Sequence, residues 1–431
     1  MKHLTLLLFS ALLTFAQAPQ PDPNQGDTRQ RVRAVKDMAS QGPEAVPKIA
    51  PYLRDIDITV RLEAVKTLDD IGGPKTVDAL VQAARDNDPE IQIRATDGLV
   101  NVYMPGYLKT GLSGSVRRAG NSVRAKFSDA NDQIIDPYVE VPLPVVQILG
   151  RLARGGASIE SRANAARALG ILRGQAAIPD LLEALNSKDD RLMYESLIAL
   201  QKIRDPAAGP GLAFLLRDLD EKIQVAALQA TGILRNQGAA PDVRYVLDRA
   251  RTVKIRREAL TTLAMLTDPA DHGVFLRYLN DKDDGLRAAG AEGLARLKNP
   301  ADQPALEKAF EAERGNGARL SMAFAVVSLG NRQMSEFSPL QYLVNTLNSK
   351  AYREVAISFL TELCRDLEVR QAIYPVLTHA TRDEKTGMSI VLARAGERDS
   401  EPYLEAMVQD SDPEVMQEGT RSLRTFRTRV R

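Results

Sequence analysis

Apolar and polar positions recur along this chain in one arrangement. Val60-Arg-Leu-Glu-Ala-Val-Lys-Thr-Leu68, Ser161-Arg-Ala-Asn-Ala-Ala-Arg-Ala-Leu169 and Leu286-Arg-Ala-Ala-Gly-Ala-Glu-Gly-Leu294 superpose without gaps. With the residue four before the closing leucine as anchor, anchors fall at Ala34, Ala64, Ala95, Ala165, Ser196, Ala227, Ala259, Gly290, Met322, Ala356, Met388 and Gly419. Successive anchors are 30 to 34 residues apart, except for a step of 70 between Ala95 and Ala165. Each anchor starts an apolar stripe at helical spacing, as in Ala64/Leu68/Ile71 and Ala259/Leu263/Leu266. Small anchors let neighbouring helices approach closely.

A second column tests the register. Seven residues before the anchors stand Asp27, Asp57, Asp88, Ser158, Asp189, Asp220, Thr252, Asp283, Gly315, Ser349, Thr381 and Asp412. Short oxygen-bearing side chains are preferred helix N-caps, because they accept from the first free backbone N–H groups, each worth about 1 kcal/mol. Upstream of each capped helix lies another, often opened by proline: Pro47, Pro179, Pro210, Pro304, Pro339 and Pro402. The unit is therefore a helical hairpin. Neither helix can bury its stripe alone, so hairpins must stack. The second, anchor-bearing helix is expected to line the concave face.

The pattern Asp-x-x-(apolar)-Arg-x-x-Ala-x-x-x-Leu, followed by Pro-x-Leu-x-x-x-Leu, resembles HEAT repeats, especially the bacterial type named for phycobilisome lyases. That resemblance implies an all-α, right-handed α-solenoid of about twelve hairpins with one irregular insertion. It also implies a ladder of arginines three before the anchors. Arg31, Arg61, Arg162, Arg256, Arg287, Arg319 and Arg353 match it; Gln92, Met193, Gln224, Lys385 and Met416 replace it. Solenoids of this kind serve as binding scaffolds, so the motif speaks to fold far more than to function.

Residues 1–18 read as a secretory signal peptide. Lys2 precedes the apolar run Leu4–Phe15, and small residues allow cleavage after Ala16 or Ala18. The run is too short to span a bilayer, which needs ~20 residues. A polar, Pro-rich leader follows over 19–28. The protein is thus expected to be exported, to the periplasm or the extracellular space, with no transmembrane segment in the mature chain. Recognisable repeats occupy 29–102 and 144–431.

Between them, 103–143 is the long step, expected to interrupt the stack between the third and fourth units. Its first part is Gly/Ser-rich and basic, with Lys109, Arg117, Arg118, Arg124 and Lys126 and no acid between Asp97 and Asp129. As a helix it would place Val116, Ala119, Val123 and Phe127 on one face, which suits docking to an anionic surface or partner. The alternative is a decayed repeat with solvated cations. Its second part, from Ile134 to Pro144, reads as extended because Pro follows Asp136, Val141 and Leu143. The C-terminus is also basic. Arg427, Arg429 and Arg431 are candidate contacts to an anionic partner, or simply the polar cap of a terminal repeat.

Composition narrows the chemistry. The 431 residues carry 57 Lys+Arg against 56 Asp+Glu, so no overall basic field points to nucleic acid. A single cysteine, Cys364, excludes an internal disulfide framework, and it is expected to be a small core residue. Trp is absent and aromatics are 5%, which disfavours a stacking platform. His272 and His379 lie about three repeats apart and cannot share a metal. Deoxyhypusine hydroxylase is a HEAT-repeat enzyme, but this chain lacks its paired His-Glu motifs. The acidic turns Asp86-Asn-Asp88 and Asp281-Lys-Asp-Asp284 lack the Ca²⁺-loop pattern and read as caps. No catalytic residue, cofactor or metal is assigned. The expected function is a non-enzymatic protein-binding scaffold of the periplasm or cell envelope. Two rivals are a bilin-lyase-like chromophore-handling protein and a peripheral binder of anionic membrane or envelope polymer acting through the insertion.

Overall fold

A computed structural model describes residues 26–107 and 133–430; they form α-helices, 3-10 turns and connections, with no strand among the described residues. All twelve anchors lie in helices. These are α1 (Thr28–Asp37), α2 (Ile58–Ile71), α3 (Pro89–Tyr103), α4 (Ile159–Ile171), α5 (Asp190–Ile203), α6 (Glu221–Ile233), α7 (Val253–Leu266), α8 (Asp284–Leu297), α9 (Asn316–Ser328), α10 (Arg353–Leu363), α11 (Arg382–Ala395) and α12 (Pro413–Val430). Consecutive members pack directly on one another and form one layer. The Pro-opened helices, such as Ile178–Ala184 and Glu401–Val408, form the other layer and touch each other far less. The crowded layer is the inner one. Its apolar stripe makes the core, with Leu68, Leu99, Leu169, Leu263, Leu294 and Leu392 fully buried. The chain is an all-α solenoid.

The caps behave as chemistry requires. Side chains of Asp57, Asp88, Ser158, Asp189, Asp220, Thr252, Asp283, Thr381 and Asp412 each accept a backbone N–H from the first turn of the following helix. In Asp-x-Asp turns the first carboxylate accepts from the backbone of the second. Asp55, Asp86, Asp218, Asp281 and Asp410 do this to Asp57, Asp88, Asp220, Asp283 and Asp412 at 2.8–2.9 Å. The acidic turns are thus structural. Three positions depart from the column. Asp27 makes no side-chain cap bond, Gly315 has no side chain to offer, and α10 starts late, after Tyr352 rather than Ser349.

Small anchors permit the close approach expected of them. A Cβ on Gly290 would lie 2.9 Å from the Phe275 carbonyl oxygen and 3.0 Å from the Leu279 nitrogen. The second helix therefore rests on the backbone of its partner.

The long step proves to be an insertion that leaves the stack intact, which corrects the expected interruption. α3 packs directly on α4, and the outer helix Val77–Ala83 meets the outer helix Leu143–Gly155. Asn164 donates to Asp97 at 2.9 Å, and the Ala157 N–H donates to Gln92 Oε1 at 2.8 Å.

Candidate binding surface of the inner layer

The arginine ladder joins successive hairpins. Arg61 donates to the Asp55 carbonyl in its own turn (2.9 Å) and to Asp86 of the next (2.7 Å). Arg287 repeats this with the Asp281 carbonyl (2.9 Å) and Glu313 (2.7 Å). Arg353 reaches the Leu347 carbonyl (2.7 Å) and Asp383 (2.5 Å). Arg162 keeps only the carbonyl half, to Ala153 at 3.2 Å, and Arg256 makes no such bond among the described residues. Two glutamines that interrupt the motif still do its work. Gln92 donates to the Asp86 carbonyl (2.6 Å) and accepts from Ala157, while Gln224 donates to the Leu216 carbonyl (2.7 Å) and accepts from Arg251 (3.2 Å). A primary amide carries both a donor and an acceptor, so it can bridge two turns without a charge.

A polar seam also runs along the inner helices. Arg167 on α4 is ion-paired with Glu195 on α5, and both are nearly buried. Gln229 donates to Glu258 at 3.0 Å, Ser321 to Glu292 at 3.0 Å, and Arg296 bridges Glu292 (3.0 Å) and Glu362 (3.2 Å). The Lys222 ammonium sits 3.8 Å over the Tyr194 ring. Burial raises the Glu258 carboxyl to about 7; Glu292 adds to the rise, while the Gln229 hydrogen bond and Lys254 oppose it.

Both ends of the insertion lie on this seam. Entering it, Tyr107 packs beside Arg167, Asp97 and Glu195, where burial pushes its phenol well above the ordinary range. Leaving it, Gln133–Val141 runs as a strap without regular structure. The Ile135 N–H donates to the Ile171 carbonyl at the end of α4 (3.0 Å), and Lys202 of α5 donates to the Gln133 carbonyl (3.1 Å). On its other side the strap meets the last helix. Arg421 pairs with Asp136 at 2.6 Å across 285 residues of sequence, and Arg424 stacks 4.1 Å from the centre of Tyr138. The solenoid therefore curls until its twelfth hairpin faces its fourth and fifth.

The candidate anionic contacts divide accordingly. Lys109, Arg117, Arg118, Arg124, Lys126 and Arg431 fall outside the described residues. Arg427 is taken up by Glu401 (2.7 Å) and Glu405 (2.6 Å), and Arg429 donates to the carbonyls of Ala393 (3.1 Å) and Gly396. With Phe426 buried against the outer helix, these two arginines fasten the terminal repeat. Cys364 is fully buried, and that burial pushes its thiol up to about 12. His272 bonds Asp302 of the next hairpin at 2.9 Å, and His379 is exposed. No group of three or more potential metal ligands gathers among the described residues. No described helix is long and apolar enough to cross a membrane.

The sequence model of the HEAT repeats matches residues 22–100 and 146–232. Solved structures resembling the chain include the CpcE–CpcF complex of phycocyanin lyase from Nostoc sp. PCC7120, at 18% identity over 67% of this chain and 94% of that one (TM-score 0.35). Another is an engineered protein at 18% identity over 92% and 99% of the two chains (TM-score 0.36). A third is the Escherichia coli protein YibA, at 15% identity over 72% and 98% (TM-score 0.39). A search of curated proteins found no match.

Proposed function

We propose that this all-α solenoid, which the HEAT-repeat model matches over residues 22–100 and 146–232, is a non-enzymatic protein-binding scaffold, exported to the periplasm or cell envelope. One observation carries the reading: an unbroken inner layer of twelve helices presents a polar seam, and both ends of a basic insertion emerge on it. Such a layer offers a preformed surface several repeats long, so recognition needs no single reactive residue. Its alternating carboxylates and cations suit a polar, extended polypeptide segment. The apolar run at 4–15 supports export.

The test is cross-linking capture by the mature chain in its own cell-envelope extract. Three variants run beside the native protein: Lys222→Glu on the inner seam, Arg277→Glu on the outer helix His272–Tyr278, and a chain with Lys109, Arg117, Arg118, Arg124 and Lys126 neutralised. The scaffold reading expects one defined protein, kept by the outer variant and lost by the inner one. Capture of lipid or envelope polymer alone, or equal loss from both faces, overturns it. N-terminal sequencing of the envelope-fraction protein tests export; an intact Met1 would refute it.

A further inference from the structure

The strap and the last hairpin enclose a cavity of about 470 Å³. Its wall is built from Thr420, Leu423, Arg424 and Thr428 of α12, Val408 at the end of the outer helix Glu401–Val408, and Tyr138 of the strap. The α12 members recur at helical spacing and so share one face. The Thr420 and Thr428 hydroxyls already donate to the carbonyls of Met416 (2.8 Å) and Arg424 (2.9 Å), so they bring no free donor to the cavity. No carboxylate lines it. Arg427, the second cation on the wall, is spent on Glu401 and Glu405. Asp136 of the strap is spent on Arg421 (2.6 Å) and on the Tyr138 hydroxyl (2.9 Å). That leaves Arg424. Its guanidinium stacks 4.1 Å from the centre of the Tyr138 ring and has no ion pair or side-chain hydrogen bond among the described residues. Stacking uses the face of a guanidinium and leaves the donors along its edge free. Arg217 shows how such a stack is completed elsewhere in the chain: it lies 4.8 Å from the centre of the Tyr245 ring and donates to Asp242 at 2.6 Å.

We propose that this cavity binds a monocarboxylate with an apolar body, either a free organic acid or the end of a polypeptide whose last side chain is apolar. The carboxylate takes the place at Arg424 that Asp242 takes at Arg217. The apolar body lies against Leu423, Val408 and the Tyr138 ring. One uncompensated fork matches a flat anion with two oxygens. A dianion such as a phosphate ester brings a second charge that no free cation on the wall meets. The cavity is of the size that small-molecule sites have. The simpler account is a hydrated arginine that merely rests on a ring. The site stands whether or not the scaffold reading holds.

The experiment is a ligand-observed NMR titration of the full chain at pH 8. The probes are phenylacetate, its neutral isostere phenylacetamide and the dianion benzylphosphonate, which share one apolar body. The variants are Arg424→Gln and the control Arg217→Gln, both at exposed positions that leave the core untouched. Phenylacetate should saturate one site per chain, with phenylacetamide and benzylphosphonate weaker by about tenfold or more, as expected for a lost charge-assisted hydrogen bond or an unmet charge. Arg424→Gln should weaken phenylacetate by about the same factor, and Arg217→Gln should bind like the native chain. Acetyl-Gly-Gly-Leu with a free C-terminus, run beside its C-terminal amide, separates the two sources. Binding tighter than phenylacetate and lost in the amide assigns the site to polypeptide ends; weaker binding assigns it to free acids. Absence of saturable phenylacetate binding, equal binding of phenylacetamide, tighter binding of benzylphosphonate, or undiminished binding in Arg424→Gln each overturns the proposal.

Discussion

Arg370 offers the sharpest test of how these hairpins are held. It is the largest fully buried side chain among the described residues, 1% exposed, in the outer helix Leu367–Ile373. Its guanidinium donates twice to Asp399 of the next hairpin, at 2.9 Å each, and to the carbonyls of Cys364 (2.9 Å) and Arg365 (3.2 Å). Arg370→Met keeps the apolar stem and removes every one of these donors. Removing one partner of a buried ion pair costs about 3–5 kcal/mol. Asp399 lowers that figure, because its side chain is 32% exposed and keeps the Tyr374 hydroxyl at 2.7 Å. The two orphaned carbonyls push the other way. We expect a loss of about 3 kcal/mol, roughly a hundredfold in the local opening equilibrium. In a stack of nearest-neighbour contacts the damage stays local. Native-state hydrogen exchange should accelerate by that factor across 353–430 and remain unchanged across 58–103. An acceleration below about tenfold, or one spread evenly over the chain, would refute the reasoning. The pH dependence has a definite sign. Burial raises the Asp399 carboxyl, but Arg370 and Tyr374 outweigh it and hold it below the usual range. The stabilisation is therefore complete above the unfolded carboxylate value and is lost as pH falls through the depressed folded one. The gap between native and variant should close in acid.

Other consequences are open to measurement. Glu258 keeps its proton up to about 7 in the folded chain but loses it near 4.5 when unfolded, so its burial costs stability as pH rises between those values; Glu258→Gln should raise the melting temperature more at pH 8 than at pH 5, and an equal gain at both would contradict this. Cys364, with its thiol pushed up to about 12 inside the core, should resist iodoacetamide in the native protein and react fully in urea; rapid native labelling would show the site is open. Gly290→Val sets side-chain atoms against the backbone at Phe275 and Leu279, and should cost about 1–3 kcal/mol by urea unfolding; a neutral result would mean the helix pair has slack.

Much of this architecture is legible in the sequence, because period and capping are local properties. An anchor such as Ala165 and a cap such as Ser158 lie within about two helical turns of one another, and the backbone there has little choice. The ladder is legible only where it is arginine. Gln92 and Gln224 look like losses until their two hydrogen bonds are seen, since an amide can stand in for a cation by supplying both a donor and an acceptor. The direct packing of α3 on α4 is also hidden, because a step of 70 residues gives no hint of which hairpins touch across it. Curvature is hidden most deeply. Each hairpin adds a small rotation that no single repeat encodes, and only the sum brings Arg421 opposite Asp136.

The strap contact gives this linear molecule a latch. A stack of identical neighbours is a spring, free at both ends and softest there. Pairing Asp136 with Arg421 closes a loop of 285 residues, a contact that becomes available only after every hairpin between them is seated. So long a loop makes it a late contact in folding. Any twist inserted between the fifth and eleventh hairpins is multiplied by the lever of the intervening stack and read out where Asp136 and Tyr138 meet Arg421 and Arg424.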